Sequence, residues 1–191
     1  MAQGPNPIEM YEIAVKALSP IMAGVTAAQL NSGTPCTDWS VQSVINHALA
    51  VQAFANDVVS QGKPNMAPMG QVDHALPSEG AAAAFKSITD TTLATLKKAN
   101  LEDTVETPFG AMPGGNFIII PITDMVIHKW DLAKGTGQDT TIDSVLAELG
   151  LQALTGALSE KRDAAFFGPE VTVPASASVQ DRLLAYSGRT P

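Results

Sequence analysis

Several things this chain lacks narrow its reading before any motif is considered. It has one cysteine in 191 residues, Cys36, so no internal disulfide can form, and a reducing cytoplasm is the expected compartment. Charge is thin, with 16% charged residues against 45% hydrophobic, an ordinary balance for a folded chain and not a disordered one. Basic residues are outnumbered, 11 Lys and Arg against 19 Asp and Glu, for a formal net charge of -8. With no basic cluster, nucleic acid and anionic membrane surfaces are excluded as expected partners. The longest apolar run, 117-FIIIPI-122, falls far short of the ~20 residues that span a bilayer. The start, 1-MAQGPNPIEMYE-12, has no basic segment followed by an apolar block, so no secretion signal is expected. No fixed-period repeat, low-complexity segment or alternating strand of useful length is present.

What is present is a series of helical patterns divided by Pro and Gly clusters. Residues 7–30 predict a first helix, bent near Pro20. After the turn-rich 31-NSGTPCTDWS-40, a second helix is expected from Trp39 or Ser40 to about Gln61. Its apolar positions Val41, Val44, Ile45, Ala48, Val51, Ala55 and Val58 repeat at i, i+3, i+4, i+7, and Asp38 or Ser40 can cap it. A long loop over 62–80 precedes a third helix, Ser78 to Asn100, whose Lys97-Lys98 end suits the helix dipole. A fourth helix is expected from about Asn116 to Lys134, kinked or interrupted at Pro121 and stopped by Gly135 and Gly137. A fifth covers Ile142 to Lys161, followed by a short extended piece, 171-VTV-173, and a last helical turn or two around Gln180–Ser187. Four or five amphipathic helices argue for an all-α bundle in one domain spanning 1–191.

Three polar residues on these helices suggest chemistry. Asp124 and His128 lie four apart, so on a helix they project from one face on adjacent turns, and Asp131 continues the stripe. A carboxylate and an imidazole so placed can ligate one divalent ion, or form a plain hydrogen-bonded couple. A metal needs a further ligand, and the chain has three histidines: His47, His74 and His128. His47 falls at the edge of the second helix's apolar face, where a polar side chain needs a partner; it reads as a ligand or as a satisfied core histidine. His74 reads as a solvated loop residue, Cys36 as a small buried residue with no basic neighbour in sequence, and Trp39 and Trp130 as helix packing.

The segments 34-TPCTDWSVQSVINHALA-50, 107-TPFGAMPG-114, 124-DMVIHKWDLAKGTGQ-138, 167-FGPEVTVP-174 and 181-DRLLAYSGR-189 resemble the mycothiol-dependent maleylpyruvate isomerase type of the DinB-like superfamily. The resemblance runs from about Pro35 to the C-terminus. It implies a DinB-like four-helix bundle with extra short C-terminal elements. It also implies a divalent metal, zinc foremost with nickel or iron also suited, held by a helix-two histidine and an acid-xxx-histidine pair. The matching positions are His47, Asp124 and His128, with Asp131 placed to orient a ligand from behind or to fasten a neighbouring chain segment. The isomerases carry Glu where this chain has Asp124, and a separate C-terminal domain that is not expected here. The implied function is activation of a low-molecular-weight thiol, mycothiol or bacillithiol, for transfer or addition to an electrophilic small molecule. The alternative is a non-catalytic metal-binding or stress-related bundle. A homodimer is compatible with the high apolar content.

Overall fold

The computed structural model describes residues 6–61, 66–157 and 167–191. The long helices are α1 (Pro7–Gly24), α2 (Val41–Gln61), α3 (Ala81–Lys98) and α5 (Ile119–Thr136), with a single-turn α4 (Gly114–Phe117) before α5. Two shorter helices follow, α6 (Ser144–Ala157) and α7 (Val179–Tyr186). The only paired strands among the described residues are the two-residue β1 (Thr104–Val105) and β2 (Met112–Pro113), which form an antiparallel hairpin.

The four long helices close into a ring. α1 lies against α5 and α3, and α2 lies against the same two. This is the four-helix bundle that the resemblance implies, with α6 covering α5 from outside and α7 packed on α6. The core is built where the apolar stripes meet: Tyr11, Leu18 and Met22 from α1, Ile45 and Ala55 from α2, Phe85 and Leu96 from α3, Ile122, Met125 and Leu132 from α5.

Helix α5 is enclosed by α1, α2 and α6. Residues 121–133 are accordingly buried along their whole length except Asp124, which is partly exposed. A helix enclosed on all sides needs partners for each polar group it carries. Thr123 donates to the Ile119 carbonyl at 2.8 Å, and Lys129 donates to the Asp139 and Thr141 carbonyls. His128 and Asp131 find each other.

Some boundaries differ from the sequence expectation. α1 runs through Pro20 but stops at Gly24, and Ala27–Gln29 forms a separate 3-10 turn. There the Gln29 side chain accepts from the Thr26 N–H at 2.9 Å and restarts the chain direction. The interruption expected near Pro121 falls at Ile118, so that Pro121 sits in the first turn of α5, where its missing N–H costs nothing. The stop at Gly137 holds, in the left-handed region at φ 71°. Residues 171–173 join no sheet; the Val171 N–H instead donates to the Ala185 carbonyl at 3.0 Å. The expected end of the fifth helix at 158–161 lies outside the described residues.

Candidate metal centre

His47 belongs to α2, which starts where the Ser40 hydroxyl accepts from the Ser43 N–H at 3.1 Å. One turn of helix beside it is tied down, because Asn46 donates to the Val72 and His74 carbonyls, both at 2.8 Å. That fastening carries the segment with the Met69 carbonyl alongside His47. Asp124 and His128 project from α5 on adjacent turns, as their spacing requires.

The three side chains meet. One ligand-type atom from each lies within 4.8 Å of the others. His47 Nε2 is 3.1 Å from Asp124 Oδ1, and His128 Nε2 is 3.5 Å from the same oxygen. The opposite ring nitrogens are engaged elsewhere: His47 Nδ1 faces the Met69 carbonyl at 3.3 Å, and His128 Nδ1 faces Asp131 Oδ2 at 2.8 Å. A carbonyl and a carboxylate only accept, so a hydrogen on Nδ1 suits each ring. A neutral imidazole in that tautomer turns its Nε2 lone pair toward Asp124, where lone pairs would face lone pairs. Only a cation between them, a proton or a metal ion, makes the arrangement attractive. Asp124 Oδ2 is buried without a hydrogen-bond partner, a further acceptor available to such a cation. The donor set of two imidazoles and a carboxylate therefore fits a divalent transition metal.

The charges agree with this reading. Burial works against the His47 imidazolium, but the charge and hydrogen bond of Asp124 and the Met69 carbonyl outweigh it and raise its pKa. Burial also works against the Asp124 carboxylate; the charges of His128 and His47, with the His47 hydrogen bond, hold its pKa below the ordinary value. The side chains of His47 and Asp124 keep 16% and 19% of their surface exposed against 8% for His128, so the centre opens on the His47–Asp124 side.

Behind His128 lies a buried ion pair that the sequence reading did not find. Asp131 is fully buried and accepts from Arg189 Nε at 3.3 Å and Nη2 at 2.9 Å as well as from His128. Burial raises the Asp131 pKa, but the bond to His128 and the charges of His128 and Arg189 bring it below normal. Asp131 thus contacts both His128 and the segment that carries Arg189.

Two more residues come from the loop before α2. The Trp39 ring lies 4.7 Å from the His47 ring and 5.9 Å from the His128 ring, centroid to centroid, so it is a wall of the centre and not simple helix packing. Cys36 lies within 4.8 Å of both His128 and Asp131, measured between ligand-type atoms. In that second trio the Arg189 guanidinium already pairs with Asp131. Cys36 does have a basic neighbour, brought by the fold from the far end of the chain. Its thiol is nonetheless pushed up to about 11, chiefly by burial, against the lowering effect of Arg189 and with Asp131 and Asp124 raising it further. His74 is exposed and joins neither cluster. A concavity of about 500 Å³ between α6 and α7, bordered by Glu148, Glu170 and Arg182, lies away from these residues.

Known proteins resemble the chain in fold and in sequence. Two uncharacterized proteins of Mycobacterium tuberculosis, from strains CDC 1551 / Oshkosh and ATCC 25618 / H37Rv, are each 30% identical over 192 residues, covering 97% of this chain and 98% of their own. The crystal structure of a mycothiol-dependent maleylpyruvate isomerase superposes with a TM-score of 0.67 at 12% identity, over 97% of this chain and 79% of that one. A DinB-like protein from Bacillus subtilis superposes with a TM-score of 0.54 at 15% identity, over 72% of this chain and 95% of that one. Identities this low speak for the shared bundle alone. Residues 11–133, however, match the family described as the mycothiol maleylpyruvate isomerase N-terminal domain, which takes in most of the bundle and all three candidate ligands. The chain belongs to the mycothiol maleylpyruvate isomerase N-terminal domain family.

Proposed function

We propose that this protein is a divalent-metal-dependent enzyme that activates a low-molecular-weight thiol, mycothiol or a close analogue, for addition or transfer to an electrophilic small molecule. The observation that carries the reading is the convergence of two histidine Nε2 atoms on Asp124 Oδ1 while both Nδ1 atoms are held by acceptors. His47, Asp124 and His128 would hold the ion. Zinc suits them best, and nickel or iron also suit two imidazoles and a carboxylate. When bound, the ion would lower the pKa of a thiol sharing the site and stabilise its anion.

The chain's own residues do the rest. Three protein ligands leave positions open for a small molecule, as in catalytic and not structural sites. Trp39 walls the two imidazoles on one side and limits water there. The partly exposed His47–Asp124 side is the direction from which a thiol and an electrophile can arrive. Cys36 keeps its proton at neutral pH and so does not compete as a nucleophile. The thiol's identity rests on the family's description, which names mycothiol.

The first test is metal analysis of protein purified without a histidine tag. One equivalent of a divalent ion is expected, and it should be lost in His47→Ala. A protein with no bound ion, and with the His47→Ala variant unchanged in metal content and melting temperature, contradicts the proposal. The second test is consumption of mycothiol and other small thiols with a panel of electrophiles. Metal binding without thiol consumption would point to the non-catalytic module instead.

A further inference from the structure

We infer that Arg189, third from the end of the sequence, is a positioning residue of the metal centre, acting through Asp131 to fix the tautomer and orientation of His128. The inference rests on the metal reading above and adds a part to it.

His128 can ligate through Nε2 only if its hydrogen sits on Nδ1. What keeps it there is Asp131 Oδ2 at 2.8 Å, provided that the carboxylate does not rotate. Asp131 is completely buried, where a charged group needs a paired, hydrogen-bonded partner to hold it. Arg189 supplies that partner. Its Nη2 and Nε reach Asp131 Oδ2 and Oδ1 at 2.9 and 3.3 Å, a forked contact that fixes the plane of the carboxylate as well as its charge. Its Nη1 donates to the Ser187 carbonyl at 2.9 Å, so the fork is itself held.

The backbone explains why Arg189 points inward. α7 ends in a Schellman motif: the Gly188 N–H donates to the Ala185 carbonyl at 3.0 Å and the Arg189 N–H to the Leu184 carbonyl at 2.9 Å. Gly188 takes φ 86°, and a Cβ there would stand 2.8 Å from the Gly168 backbone. The turn brings the next residue back over the bundle, where Arg189 is only 7% exposed. A surface arginine could have been left in water. This one is buried against the carboxylate that carries the ligand's hydrogen bond.

The experiment uses the full chain, stripped of metal, with two readouts. One is zinc affinity, measured by competition with a chromophoric chelator. The other is the tautomer of His128 in the metal-free protein, read from long-range proton–nitrogen NMR of nitrogen-15 histidine at mildly alkaline pH. In the wild type, His128 should be the Nδ1-protonated form. Arg189→Gln should populate the other tautomer and weaken zinc binding by about 10–100-fold, the usual effect of losing a ligand's supporting partner. Arg189→Lys should recover part of the affinity. Because Arg189→Gln leaves the buried Asp131 without its cation, it can unfold the chain; Asp131→Asn/Arg189→Gln removes both charges. Its amide can donate as well as accept, so affinity should stay low in a folded protein. Wild-type affinity and an unchanged tautomer in either variant would overturn the inference. If wild-type protein and His47→Ala alike fail to bind zinc, the metal reading has failed; the tautomer readout then still decides Arg189's role.

Discussion

At the scale of single residues, the centre is defined by which atom each side chain has left to offer. His47 and His128 both commit Nδ1 to an acceptor and present Nε2 to Asp124. Asp124 supplies the negative charge, and its second oxygen has no partner. Asp124→Asn should therefore cost ~100-fold or more in zinc affinity, since it removes an anionic ligand outright. Asp124→Glu, which keeps the carboxylate on a side chain one methylene longer, should keep one equivalent of zinc within ~10-fold of wild type. Chelator competition on the two variants checks both. Cys36 presents the opposite case, a sulfur whose surroundings keep it protonated. With its thiol pushed up to about 11, the thiolate fraction at pH 8 falls by about 100-fold relative to a cysteine of ordinary pKa. Iodoacetamide should alkylate metal-free native protein about 100-fold more slowly than urea-unfolded protein. Equal rates would show that the Cys36 environment is wrong.

At the scale of elements, the parts that could be read from the sequence are those with a period. The four long helices follow from their apolar stripes. Asp124 and His128 share a face because helical spacing makes them, and His47 was findable as a polar residue at the edge of an apolar stripe. Arg189, Trp39 and Cys36 have no such signal. They stand in a loop and at a helix end, where position is set by tertiary contact. The nearest thing to a cue is the glycine before Arg189, which marks a helix stop but says nothing of where the next side chain points. The loop is held from several sides. Thr34 Oγ1 donates to the Trp39 carbonyl at 2.9 Å, and Val41 N–H donates to the Ser32 carbonyl at 2.9 Å. α5 comes so close at Gly135 that a Cβ would lie 3.0 Å from the Gly33 carbonyl oxygen. Gly188→Ala tests the element that carries Arg189. Left-handed backbone costs a non-glycine residue about 1–2 kcal/mol, and the 2.8 Å approach to Gly168 adds to it. The melting temperature should drop by at least ~2–4 °C. Zinc affinity should drop with it, because the turn that delivers Arg189 no longer fits. A loss of stability with full zinc affinity would separate the α7 cap from the centre.

At the scale of the whole molecule, the centre gathers chain segments that are distant in sequence. Its residues come from the loop before α2, from α2 itself, from α5 and from the turn after α7. α2 and α5 are neighbours in the ring, and α7 reaches α5 through α6, so an ion at His47, Asp124 and His128 would join helices that the core already packs together. Such an ion binds the folded chain and not the unfolded one, whose ligands are scattered. Linkage then sets the size of the effect: free ligand at 100 times its dissociation constant adds about 2.7 kcal/mol. For a chain of this length about 2–4 °C accompanies each kcal/mol, so zinc should raise the melting temperature by roughly 5–10 °C. A chelator should reverse the rise. His47→Ala should melt at one temperature with or without zinc, even though α2 and its core contacts are intact, because the ion would then hold only the two ligands of α5. A zinc-induced rise that survives in His47→Ala would mean that the stabilising ion binds elsewhere, and that α2 takes no part in the site.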